Sequence, residues 1–137
     1  MFCTSIQEAY ILGRQQEFYG NTNMSHFYLE VKHNLSSQKI EEAIRKLIRR
    51  HSMLRSIFEN SRRVVLGEDI ADTFFLKTLE EKSLESHRKA ANQKVNEPDK
   101  WPLFEICNIK ERDSYIATID IDMLIVDEFS LTVLFRD

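Results

Sequence analysis

Asp120-Ile121-Asp122-Met123-Leu124-Ile125-Val126-Asp127-Glu128-Phe129-Ser130 sets carboxylates inside and just after the most apolar run of the chain. An ionised carboxylate in apolar surroundings has to be paired, hydrogen-bonded or protonated. Reading back from Asp122, Ile121, Ile119 and Ala117 alternate with Asp122, Asp120 and Thr118, the period of a strand with one apolar face. Asp120 and Asp122 then share the other face, roughly 7 Å apart. Residues 123–126 are too apolar to face water on either side. Asp127 follows where the chain must turn, and residues 128–135 have helical spacing. Two readings fit this corner. Either the acids form a functional site, or Asp127 caps the next helix while Asp120 and Asp122 are solvated.

Working outward, a turn at Glu111-Arg112-Asp113 predicts that residues 105–110 and 115–122 form an antiparallel hairpin. The isoleucines should lie in the core beneath a helix over 38–51. That helix is the clearest in the chain: Ser36 or Ser37 caps it, and Ile40, Ala43, Ile44, Leu47, Ile48 and His51 recur at helical spacing. Residues 53–58 and 62–66 read as strands joined by Glu59-Asn60-Ser61, and residues 74–76 as another short strand. A more polar helix is expected over 80–95, ended by Pro98. A short helix over 4–14, capped by Thr4, opens the chain. A Gly20-Asn21-Thr22-Asn23 loop leads from it to a half-buried strand over 24–32, whose His26, Tyr28 and Glu30 line one face. The pattern predicts one α+β unit, a mixed sheet with helices packed on it. Arg55 is the anomaly. A guanidinium between Leu54 and Ile57 needs a partner, and Asp127 has the same need, so an Arg55–Asp127 ion pair is expected.

Composition excludes several classes of function. The 137 residues carry 19 basic and 22 acidic side chains, a net charge of −3, and no basic stripe beyond Arg45-Lys46 and Arg49-Arg50. Nucleic acid and an anionic membrane are therefore not the expected partners. The 2 cysteines, Cys3 and Cys107, are far apart, and the 4 histidines have no ligand spacing, so neither a metal site nor a disulfide framework is expected. Scattered glycines exclude a phosphate-binding loop. No apolar run reaches membrane-spanning length and the start lacks a signal-peptide pattern, which together predict a cytoplasmic protein. The chain stops inside the helical pattern Leu131-Thr132-Val133-Leu134-Phe135 without a stop signal, the expectation for a piece of a longer protein.

Five segments in order resemble one family. Thr4-Ser5-Ile6-Gln7-Glu8-Ala9-Tyr10-Ile11-Leu12-Gly13-Arg14, Ser25-His26-Phe27-Tyr28-Leu29-Glu30, Arg50-His51-Ser52-Met53-Leu54-Arg55, Trp101-Pro102-Leu103-Phe104 and the spacing Asp122-x-x-x-x-Asp127-x-x-Ser130 are similar to the motifs of heterocyclization domains of nonribosomal peptide synthetases. These are variants of the condensation domain. Phe2 and Cys3 depart from the usual residues before the first motif.

The resemblance implies the first of two chloramphenicol-acetyltransferase-like lobes, spanning residues 1–137, with the C-terminal lobe absent. It implies joining a carrier-bound acyl or aminoacyl thioester to carrier-bound Cys, Ser or Thr, followed by cyclodehydration to a thiazoline or oxazoline, in secondary-metabolite assembly such as that of siderophores. Substrates would ride on phosphopantetheine arms of carrier domains, with no bound cofactor or metal. Asp122 takes the position of a signature histidine and is expected to orient or exchange protons. Asp127 takes that of the signature aspartate and is expected to hold Arg55 in a structural ion pair. Two other classes stay open: an ordinary amide-forming condensation domain, which should show His where Asp122 stands, and a docking or scaffold fragment without catalysis. The isolated lobe is expected to be inactive and prone to self-association.

Overall fold

The computed structural model describes residues 1–15 and 25–137. Its elements are α1 (Ser5–Gln15), β1 (His26–His33), α2 (Ser37–Arg50), β2 (Ser56–Glu59), β3 (Arg62–Val65), β4 (Lys77–Glu80), α3 (Leu84–Gln93), β5 (Phe104–Lys110), β6 (Tyr115–Asp122) and α4 (Glu128–Arg136). A four-stranded sheet has the order β1-β6-β5-β4, and β2 and β3 make a separate hairpin. The expected β5–β6 pairing is antiparallel, as is β1–β6, whereas β4 runs parallel to β5. The expected Gly20–Asn23 loop and Met24 lie outside the described residues.

Local chemistry explains the helices. Thr4 and Gln7 bond each other's backbone N–H reciprocally, a capping box that starts α1. Ser36, of the two candidate serines, caps α2 by accepting from Lys39 N–H. Ile44 and Ile48 of α2 share a buried cluster with Phe104 of β5, Ile121 of β6, and Leu124, Ile125 and Val126 of the following loop. Ile119 packs against that cluster, so the apolar face of β6 points into the core as its alternation predicts. Buried Asn108 on this face is matched by His33 (2.9 Å) and Ser37 (3.0 Å).

Several boundaries differ from expectation. Ser52–Arg55 is a 3-10 turn, so the strand expected from residue 53 begins only at Ser56. Residues 74–76 are not a strand: Phe74 turns into the core against Phe104, its carbonyl is taken by Arg45, and pairing starts at Lys77. The polar helix is preceded by a 3-10 turn at Glu81–Ser83 and ends at Gln93, before Pro98 is reached. Among the described residues no helix is long and apolar enough to cross a membrane.

Candidate active site

Asp122 closes β6 opposite His26 of β1, and Asp120 sits opposite Tyr28. Both acids are on the face away from Ile119 and Ile121, yet they are not solvated: Asp120 is 7% and Asp122 2% exposed. Helix α3 covers this face through a His87–Thr118 hydrogen bond, and the segment after it adds a Lys94–Glu105 ion pair. Burial on both faces is why the acids need designated partners.

Asp122 has them. Its Oδ1 accepts from the Arg14 guanidinium of α1 and from the Leu124 backbone N–H (2.9 Å), and its Oδ2 accepts from the Asn96 side-chain amide (3.0 Å). Arg14 also donates to the Asn96 carbonyl (3.3 Å), and the Gln7 amide donates to the Leu124 carbonyl (2.9 Å). One carboxylate thereby ties α1, the segment after α3 and the loop after β6 to a single point. Two residues earlier, Asp120 meets His26 Nδ1 at 2.5 Å. Burial pushes the Asp120 carboxyl above its ordinary range, opposed by the hydrogen bond and charge of His26. Of the two acids, Asp122 accepts from three donors on Arg14, Leu124 and Asn96, while Asp120 has a single close partner in His26.

Asp127 is exposed and caps α4, accepting from Ser130 N–H at 2.7 Å. The bonds from Ser130 hold its carboxyl below the usual range. The expected ion pair with Arg55 is not formed. The Arg55 guanidinium instead donates to the carbonyls of Ile48 (3.0 Å), Arg49 (3.4 Å) and Leu66 (2.6 Å). Two of these carbonyls close α2, where unpaired acceptors and the negative end of the helix dipole suit a cation. The partner that Arg55 requires is thus the helix terminus.

The structure therefore joins Asp122 to the first motif and leaves Asp127 and Arg55 apart. Sequence reading missed Arg14, Gln7 and Asn96 as partners of this corner. Arg14 and Gln7 stood in a motif already singled out; Asn96 gave no signal. The Trp-Pro-Leu-Phe motif seals the neighbouring core: Trp101 donates to the Leu54 carbonyl (2.9 Å), and Leu103 and Phe104 are buried.

This arrangement is an α+β lobe whose strand-end Asp122 is locked to an arginine of the opening helix, and its fold is that of a condensation-type lobe. Residues 1–137 match the family described as "Condensation domain", and the chain belongs to it. Over 143 residues it is 28% identical to Bacitracin synthase 1 of Bacillus licheniformis, covering 98% of this chain and 3% of that protein. It is 27% identical to Pyochelin synthetase PchF of Pseudomonas aeruginosa, covering 96% of this chain and 8% of that one. The fold superposes with a TM-score of 0.86 on the EpoB NRPS cyclization-docking bidomain from Sorangium cellulosum, at 24% identity, covering 98% of this chain and 29% of the other. The chain thus spans a small part of each of these proteins.

Proposed function

We propose that the chain is the first lobe of a heterocyclization domain, which condenses a carrier-bound acyl or aminoacyl thioester with carrier-bound Cys, Ser or Thr and then removes water to form a thiazoline or oxazoline. The observation that carries this reading is the buried Arg14–Asp122 pair. Amide-forming condensation domains are expected to have histidine at this position of the signature. Here a histidine would leave the Arg14 guanidinium buried without its carboxylate, so the arginine of the first motif and the aspartate of the signature belong together physically. Similarity to a pyochelin synthetase and to a cyclization-docking bidomain agrees with the reading.

The geometry supports the following roles. Asp122 acts as a positioning residue that fixes the end of β6 and the loop after it. Asp127 caps α4 and fixes the direction in which that helix leaves. Amide formation needs a neutral, oriented amine, and cyclodehydration needs a proton delivered to the departing oxygen. The second lobe would complete the tunnel and supply the dehydration groups, and phosphopantetheine arms of carrier domains would deliver both substrates.

The test joins this chain to the second lobe and supplies carrier-bound donor and carrier-bound Cys. A product lighter than the simple amide by one water supports the reading. An amide that never loses water would instead assign the chain to ordinary condensation.

A further inference from the structure

His87, Glu105 and Cys107 belong to no motif above, and their spacing in sequence carries no ligand pattern. Folding brings them together. Glu105 and Cys107 are two apart on β5 and so project from one face, opposite Asp120 and Thr118 of β6. Helix α3 lies over that face and lowers His87 onto it, with His87 Nε2 and Thr118 Oγ1 2.9 Å apart. Among the described residues these are the metal-ligating side chains that gather: one ligand atom from each lies within 4.8 Å of the others. Cys107 is 2% exposed, and Glu105 and His87 are half-buried.

We infer that His87, Glu105 and Cys107 form a binding site for a borderline-soft divalent cation of the zinc class, between α3 and β5. One sulfur, one imidazole nitrogen and one carboxylate oxygen are a donor set that suits such an ion, and hard cations that require all-oxygen cages are excluded by it. Three protein ligands leave a fourth position for water. Bond lengths of about 2.0–2.3 Å require the ligand atoms to close by roughly 1 Å, which the terminal torsions of Glu105 and His87 allow while Cys107 stays fixed in its strand. Cys107 binds as the thiolate, and its proton leaves to solvent. Lys94 pairs with Glu105 Oε2, whereas Oε1 is the oxygen that faces Cys107 Sγ, at 3.5 Å. Oε1 accepts from the Cys107 thiol, and that hydrogen bond is released when the thiol gives up its proton to bind the ion.

The site uses none of the partners of Asp122. Cys107 stands opposite Thr118, four positions along β6 from Asp122, roughly 13 Å at strand rise, while Glu105 stands opposite Asp120 and borders the buried acids. The experiment titrates the purified chain, in a Cys3→Ser background, with cobalt(II) and follows the thiolate-to-metal charge-transfer band, with circular dichroism to confirm the fold. The expected result is a band that saturates at a single equivalent, is displaced by zinc, and is lost in Cys107→Ser. His87→Gln and Glu105→Gln should each weaken cobalt binding at least about tenfold, the lower bound for losing even an outer partner of a metal site. No charge-transfer band, a band that survives Cys107→Ser, or affinities unchanged in both His87→Gln and Glu105→Gln would overturn the assignment.

Discussion

At the scale of single residues, what decides behaviour here is which partner a buried charge finds. Asp122 and Arg14 are both buried, with side-chain exposures of 3% and 7%. Removing one leaves the other uncompensated, so Asp122→Ala is expected to lower unfolding free energy by about 3–5 kcal/mol in urea titration. Replacing both by apolar residues of similar volume should cost far less. Equal losses in the single and double variants would show that packing, not charge, is at stake. Asp120 behaves differently because its folded pKa lies above the unfolded value. It binds a proton in the folded state that the unfolded chain has released, so the stability this gives is complete below the ordinary value of 3.8 and is lost as pH rises through the folded pKa. Asp120→Asn should therefore leave stability at pH 7 equal or higher and flatten its fall between that range and neutrality. A loss beyond about 1 kcal/mol at pH 7, the size of an ordinary destabilising substitution, would contradict this.

At the scale of elements, the legible parts were those with strong local chemistry. Helix α2 shows a serine cap and an unbroken apolar stripe, and β6 shows strict alternation, so both were readable to within a residue or two. Strand β4 was not, because Lys77-Thr78-Leu79-Glu80 has little apolar signal and owes its pairing to β5. The apolar Phe74-Phe75-Leu76 before it drew the assignment, although Phe75 is exposed with the Arg45 guanidinium over its ring. Arg55 misled for a related reason: a sequence shows which charges need partners but not that backbone carbonyls can supply them. Arg55 and Asp127 should accordingly act independently, and the effects of Arg55→Met and Asp127→Ala should add within about 0.5 kcal/mol in a double-mutant cycle. A larger coupling would restore the ion pair. The β2–β3 turn offers a second check. Asn60 and Ser61 both have positive φ, 49° and 57°, as a two-residue hairpin loop of this twist demands. Serine is strained there, by about 1–2 kcal/mol, while glycine's extra chain entropy returns roughly half of that. Ser61→Gly is expected to raise the urea midpoint with an unchanged slope; a lowered midpoint would mean that the serine side chain contributes more than its strain.

At the scale of the whole molecule, the surface left by this fold matters as much as its core. Phe129 is 77% and Phe135 53% exposed on α4, and a groove of about 300 Å³ at Phe129 has an apolar wall that includes Met53, Val133 and Leu134 and a polar rim of Arg50, His51, Ser52 and Ser130. Large aromatic side chains at that exposure favour association, and a net charge of −3 offers little repulsion to oppose it. In the two-lobe reading, groups needed for dehydration and half the tunnel wall belong elsewhere, so the chain alone loses the positioning that lowers such barriers by several kcal/mol. The isolated chain should therefore fold, self-associate as its concentration rises, and form no product. Sedimentation should show the average mass rising with concentration and returning toward 16.2 kDa in Phe129→Ser/Phe135→Ser. Mass spectrometry with carrier-bound donor and carrier-bound Cys should detect neither amide nor dehydrated ring. A monomer at all concentrations would remove α4 as an adhesive face. Turnover above the protein-free control would show that one lobe holds a complete catalytic unit, and with it the assignment of the chemistry to the junction of two lobes would fail.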